Sequence, residues 1–176
     1  MRLIINLILV TLIAAFVWIL YNSIWEPIAF QREKDRRQDA VVAKLRHIRE
    51  AQEIYRNVTG SFAPSYQQLK DTLRYGKIMI IAVEGDPDDP TQQELKYDTS
   101  FQAAIDLVKK ANINLDSIEF VPFSGGKTFE LFADTVIYQK TKVPVVEVKI
   151  AWKDFMGDFA DPKFKKYDDT YNPDDP

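Results

Sequence analysis

The stretch LIINLILVTLIAAFVWILYNSI, residues Leu3 to Ile24, decides the layout of this chain. It contains no charged side chain, and its clearly polar interruptions are Asn6, Thr11, Asn22 and Ser23. As an α-helix with a rise of ~1.5 Å per residue it is roughly 30 Å long, which matches the hydrocarbon core of a bilayer. The sequence therefore predicts a transmembrane anchor over residues 1–25, followed by a soluble part.

A cleaved signal peptide is the main alternative for this stretch. Signal peptides have an apolar run of about 7–15 residues that ends at a small-residue cleavage site. Here the small pair Ala14-Ala15 is followed by five more apolar residues, Phe16 to Leu20. Trp18, Tyr21 and Trp25 cluster toward the far end, as is typical of aromatic side chains at headgroup level. These features favour an uncleaved anchor that crosses a membrane once.

Charge alone leaves the orientation of the anchor open. More basic residues follow the anchor than precede it, but they are interleaved with Glu26, Glu33, Asp35 and Asp39. Long domains are also translocated largely regardless of charge. Both orientations therefore remain compatible with the sequence at this point.

Composition excludes several classes of function for the soluble part. The chain has 176 residues, 23 Lys+Arg and 26 Asp+Glu, for a formal net charge of −3. A nucleic-acid partner is not expected at this charge. With no cysteine and a single histidine, His47, thiolate metal sites and most histidine-based catalysis are unavailable. No cofactor is expected, and His47 is expected to be a surface or interface residue.

After the anchor, the chain reads as one long helix, Ile28 to Asn57. Residues 26–40 have little apolar patterning and predict a solvated juxtamembrane helical stalk. From residue 41 an apolar stripe appears at helical spacing and begins a soluble domain over 41–157. The stripe consists of Val41, Leu45, Ile48 and Tyr55. The tail, 158–176, is rich in Asp, Lys, Tyr and Pro and is expected to be loosely ordered.

The rest of the soluble domain alternates between short helices and strands. A helix beginning at Ser65 has Leu69 and Leu73 on its apolar face, and a second is expected near residues 100–111. A buried strand is expected over 77–83, and further strands over 117–123, 128–137 and 143–152. The paired glycines of Ser124-Gly125-Gly126-Lys127 indicate a hairpin turn. The fold class is therefore α+β, with a long N-terminal helix packed on a small antiparallel sheet.

Residues 44–73, KLRHIREAQEIYRNVTGSFAPSYQQLKDTL, resemble the middle of type IV pilins and type II secretion pseudopilins. In both, the helix ends at a Tyr and a short polar stretch, followed by Gly, an aromatic residue, Pro and a brief second helix. Most of the chain is also similar to a family of uncharacterised single-pass envelope proteins of Bacteroidota. That similarity rests on Glu26-Pro27, the IRxAQ stretch from Ile48 and the hairpin segment Val121 to Phe129.

The resemblance implies a non-enzymatic, pilin-like envelope protein with a periplasmic soluble domain. Its expected partners are the lipid bilayer and other membrane or envelope proteins, including further copies of itself. The chain departs from pilins in having Asn6 where a carboxylate is expected. An asparagine in lipid can hydrogen-bond a neighbouring helix but cannot form a charge pair. The residues expected to contact partners are Asn6, Val41, Leu45, Ile48 and Tyr55.

Two rival functions remain open. A tethered ligand- or calcium-binding module would use the acidic loop after residue 83, with Asp86, Asp88 and Asp89 as weak calcium candidates. The tail carboxylates Asp168, Asp169, Asp174 and Asp175 are a second weak group. The spacing of an EF-hand is absent, and prolines at 87 and 90 stiffen the loop. An anchored hydrolase is disfavoured because no spacing singles out a nucleophile with its base.

Overall fold

A computed structural model describes residues 2–84 and 96–176. The helices are α1 (Arg2–Thr59), α2 (Tyr66–Tyr75) and α3 (Ala104–Lys110), and the strands are β1 (Lys77–Glu84), β2 (Lys96–Ala103), β3 (Glu130–Tyr138) and β4 (Thr141–Lys149). Short 3-10 helices follow at Trp152–Asp154, Gly157–Phe159 and Pro162–Tyr167. The chain divides into two compact units: residues up to Ala40 with Ala151–Pro176, and Val41–Ile150. The mixture of helices and small antiparallel sheets confirms the α+β class.

Helix α1 contains the apolar segment Leu3–Ile24 and runs on through Pro27 without ending. By length and composition it could cross a membrane, and its most apolar window buries none of its surface within the chain. A proline inside a helix removes one backbone hydrogen bond, and an exposed carbonyl that loses its donor can bind water instead. The ring therefore does not end α1 at the Glu26-Pro27 step.

The unit Val41–Ile150 has its own core, to which α1 contributes the stripe predicted from the sequence. Val41 and Ile48 are buried on α1, as are Leu69 and Leu73 on α2. Gln52 is also buried, and its side-chain amide donates to the carbonyl of Ala63 (3.2 Å) and accepts from its N–H (2.8 Å). Ser65 caps the N-terminus of helix α2, and its hydroxyl accepts from the N–H of Gln68. The predicted short helix and its apolar face are confirmed.

Two antiparallel hairpins, each a sheet of two strands, make up the β-structure of the described residues. In the first, Lys77 lies opposite Ala103 and Glu84 opposite Lys96; in the second, Glu130 lies opposite Lys149. Strand β1 was expected to be buried, but Met79, Ile80 and Ile81 are all exposed. The run of apolar residues predicted the strand correctly. Its burial was not predicted correctly, because no other element of the described residues covers these side chains.

One predicted helix begins later than expected, and one predicted strand is absent. Residues 100–103 belong to β2, not to a helix, because they pair with β1, and α3 begins only at Ala104. Residues 117–123 form turns, with Phe120 making one isolated bridge to Thr128. The Gly125-Gly126 turn is present, with positive φ at both glycines (70° and 103°). A different turn, Gln139-Lys140, joins β3 to β4, and both of its residues also have positive φ. Because neither residue is glycine, the sequence gives little indication of a turn at this position.

The C-terminal segment 151–176, called the strap below, differs most from expectation. It was expected to be loosely ordered from residue 158, yet Phe164 and Tyr171 are buried in it. Its end folds back on its start, since the N–H groups of Trp152 and Lys153 donate to the carbonyls of Asp175 and Pro173. The expected solvated stalk is exposed only in part, because Phe30 and Lys34 on α1 are buried.

Candidate functional site

Aromatic and charged side chains make a set of long-range contacts where α1 leaves its apolar segment. Glu26, Phe30, Lys34 and Arg37 follow one another at spacings of three or four residues and so share one face of the helix. Each of them contacts the strap. We call this arrangement of α1 residues 26–37 and the strap the collar.

Phe30 is the centre of the collar, and its side chain is fully buried. Its ring is stacked on Phe164, with centroids 5.4 Å apart and planes within 3°. Its edge contacts are with Tyr171 at 5.2 Å and Phe159 at 5.9 Å. Aromatic pairs at such distances add to the hydrophobic gain from burial. The strap is therefore attached to α1 mainly through this one side chain.

Polar contacts fix the strap above and below Phe30. On the side of the apolar segment, the Tyr167 hydroxyl donates to the Glu26 carboxylate, and Lys166 Nζ lies 3.5 Å from it. On the other side, Lys34 is paired with Asp168, and Arg37 donates to the carbonyl of Phe155. Lys34 also lies 5.7 Å from the centre of the Trp152 ring. These contacts set the register of the strap along the helix.

The contacts of the collar lower the pKa of two of its carboxyl groups, Glu26 and Asp168. The hydrogen bond from Tyr167 lowers the pKa of Glu26, and the charges of Lys166 and Lys163 act in the same direction. The hydrogen bond from Lys34, with others from Thr170, lowers the pKa of Asp168 to about 2. Both carboxylates are therefore ionised near neutral pH and act as fixed anions within the collar.

A shallow groove opens beside the collar, next to the end of the apolar segment. It is lined by Trp25, Glu26, Ala29 and Phe159 and has a volume of about 460 Å³. The Trp25 ring that borders it is stacked on Tyr21 at 6.1 Å. The groove thus combines aromatic walls with one carboxylate.

The residues expected to contact partners have different locations in the structure. Asn6 is exposed on α1, within the apolar segment. Val41, Ile48 and Tyr55 are buried in the core of the unit Val41–Ile150, and Leu45 is half-buried there. Because these side chains pack inside their own chain, they offer little surface to another protein. Periodicity identified the buried face of the helix correctly, but it could not tell a core face from an interface.

The candidate metal ligands are not brought together in the described part of the chain. Asp86, Asp88 and Asp89 lie outside the described residues. In the strap, Asp168 is paired with Lys34 and Asp174 with Lys153. Among residues 2–84 and 96–176, no group of three His, Asp or Glu side chains is placed to hold a metal ion. His47 is half-buried on α1.

Sequence reasoning missed the collar, although a signal for it was present. Disordered segments are poor in aromatic residues. The strap contains Trp152, Phe155, Phe159, Phe164, Tyr167 and Tyr171. That density indicates a packed segment even where no periodicity is visible.

Comparison of the chain with protein-family models, with curated proteins and with solved structures finds no match in any of the three.

Proposed function

We propose that this chain is a non-enzymatic, membrane-anchored protein of the cell envelope that serves as a structural or assembly subunit with a pilin-like layout. The observation that carries the proposal is the position of the collar directly after an apolar segment whose side chains are exposed. A bilayer is the environment that covers such a segment. The anchor lies in the inner membrane, and the unit Val41–Ile150 lies on its periplasmic side.

The collar supports an anchoring role because it is built from the residues that follow the apolar segment. The rings of Trp25 and Tyr21, at the end of the apolar segment next to the collar, are stacked on each other. Aromatic rings of this kind favour the interface between lipid and water. Phe30 then holds the strap against α1. The collar therefore reinforces the helix at the point where it would emerge from the membrane.

The two hairpins support a role in protein assembly. Ile137, Tyr138 and Phe132 on β3 are 75%, 66% and 59% exposed, and Phe101 on β2 is 67% exposed. Within the described residues each strand pairs on one side only, so its other edge is open to strand addition. Clusters of exposed apolar side chains on a folded domain are typical of protein contact sites.

Photo-crosslinking in intact membranes tests the assembly role. A crosslinking amino acid at Ile137 is expected to capture either further copies of this chain or one defined envelope protein. The control position is Lys110, which is exposed on α3, outside the hairpins. Capture at Ile137 but not at Lys110 would support the proposal. No adduct from Ile137, or the same adducts from both positions, would contradict it.

A reporter fused after Pro176 tests the proposed sidedness. An enzyme that is active only in the periplasm is expected to be active in this fusion, and one that is active only in the cytoplasm is expected to be inactive. The opposite pattern would place the soluble part in the cytoplasm and contradict the proposed location.

A further inference from the structure

A group of lysines lies on the 3-10 helix Pro162–Tyr167 of the strap. Lys163, Lys165 and Lys166 are exposed, whereas Phe164 between them is buried against Phe30. Lys163 and Lys166 also lie over the rings of Phe164 and Tyr167, at 4.8 and 4.4 Å. Since the 3-10 helix is held by its buried aromatic side chain, the ammonium groups are carried on an ordered support.

The contacts of Glu26 place this lysine group close to the end of the apolar segment. Lys166 lies 3.5 Å from the Glu26 carboxylate, which the Tyr167 hydroxyl also contacts. Glu26 follows Ile24 by two residues, or ~3 Å along a helix axis. If α1 spans a bilayer as proposed above, the lysines lie at the depth of the lipid headgroups.

Two acidic residues of the strap are paired with lysines outside this group, and a third caps the 3-10 helix that carries it. Asp168 pairs with Lys34, which lies ~12 Å beyond Glu26 along the helix axis. Asp174 pairs with Lys153, and Asp161 accepts the backbone N–H of Lys163 at 2.8 Å. The strap as a whole carries more acidic than basic residues, but three of its four lysines lie on this one 3-10 helix, and Lys166 lies beside Glu26.

We propose that Lys163, Lys165 and Lys166 bind the phosphate-bearing headgroups of anionic phospholipids. This inference rests on the proposed anchoring of α1 in a membrane. Phosphate oxygens are strong acceptors for ammonium groups, and basic residues close to an anionic leaflet bind it electrostatically. The groove lined by Trp25 and Phe159 shares Glu26 with the lysine group and provides apolar walls for the adjoining part of the lipid.

Lipid retention by the full-length protein tests the proposal. The protein in detergent is mixed with phosphatidylglycerol or with phosphatidylcholine, and bound lipid is measured by native mass spectrometry. The wild type is expected to retain phosphatidylglycerol preferentially. The combined variant K163Q/K165Q/K166Q is expected to retain it about fivefold less for each lysine removed, or up to ~100-fold less in total.

A matched variant, K109Q/K110Q/K140Q, removes the same charge from exposed lysines outside the collar. Unchanged retention in the collar variant, or an equal loss in the matched variant, would overturn the proposal. Displacement of the lipid by inorganic phosphate alone would also overturn it, because the site would then be one for small anions. Limited digestion of the strap by chymotrypsin, which cuts after aromatic residues and not after lysine, is expected to be alike in all three proteins, so a loss of retention reports the lysines themselves.

Flotation with phosphatidylcholine vesicles separates this inference from the proposed anchoring. Both the wild type and the collar variant are expected to float, because the apolar segment is unchanged. If neither floats, the proposed anchoring fails, and the inference fails with it. If both float and phosphatidylglycerol is not preferred, only the inference fails.

Discussion

Phe30 shows how much of the collar depends on a single residue. It lies six residues beyond the apolar segment and is fully buried among the rings of Phe159, Phe164 and Tyr171. A buried aromatic side chain of this kind typically contributes several kcal/mol to stability. The strap has short 3-10 turns and no long helix or strand of its own, so its order depends on that contact.

Replacing Phe30 with alanine is expected to release the strap. The substitution removes about 3–5 kcal/mol of packing free energy from the collar. Limited trypsin digestion of the full-length protein in detergent should then cut at the strap lysines much faster than in the wild type. Phe101→Ala is the matched control, because Phe101 is 67% exposed. Equal cleavage rates in the two variants would show that Phe30 does not hold the strap.

Asp168 gives the collar a dependence on pH. Its pKa is lowered from 3.8 to about 2, chiefly by the hydrogen bond from Lys34. A carboxyl whose pKa is lower in the folded than in the unfolded chain stabilises the fold fully at a pH above the unfolded-state pKa. That stabilisation is lost as the pH falls toward the folded-state pKa. The contribution of Asp168 is therefore complete above about pH 4 and declines between about pH 4 and pH 2.

A carbon-13 NMR titration of the Asp168 carboxyl tests this cause directly. In the wild type its midpoint is expected near pH 2. In Lys34→Met the midpoint is expected to rise toward 3.8, because the largest cause of the shift has been removed. A midpoint that stays the same in the variant would show that Lys34 is not that cause.

Among the elements, periodic segments were predictable and irregular ones were not. The helix capped by Ser65, with Leu69 and Leu73 buried, follows from local spacing and capping chemistry alone. The strap carries no period, and its order comes from Phe30, which is more than a hundred residues away in sequence. Residues 117–123 have the composition of a strand, yet only Phe120 finds a bridging partner. Pairing is decided by tertiary contacts that composition does not encode.

Pro27 locally destabilises helix α1. Proline costs ~3 kcal/mol relative to alanine within a helix, because it lacks an N–H and its ring crowds the preceding turn. Pro27→Ala is therefore expected to slow amide hydrogen exchange around residues 23–31, by up to ~100-fold. Ala29→Gly, which loosens the same turn, should speed exchange. Unchanged exchange in Pro27→Ala would mean that the proline does not weaken this turn.

At the level of the whole molecule, the two compact units do not follow the boundaries expected from sequence. The sequence divided the chain into an anchor, a stalk, a domain over 41–157 and a tail. In the structure the residues up to Ala40 and Ala151–Pro176 form one unit, and Val41–Ile150 forms the other. The boundary near residue 40 was visible as a change in patterning. The contact of the C-terminal strap with residues 26–37 of α1 was not visible in the sequence, because a contact between distant segments leaves no local pattern.

This arrangement gives the apolar segment a central role in the proposed function. Its side chains from Leu3 to Leu20 are all exposed in the described chain, and many are large and aliphatic. In water such a surface would associate with other apolar surfaces; in a bilayer it is matched by lipid tails. Anchoring is therefore the claim on which the envelope role and the lipid inference both depend.

Alkaline carbonate extraction of cell membranes that contain the full-length protein tests that claim most directly. Carbonate removes proteins held at a membrane surface but leaves those that span it. The full-length chain is expected to stay in the membrane pellet, while a variant lacking residues 2–24 is expected in the supernatant. Recovery of the intact full-length chain in the supernatant would contradict the anchor.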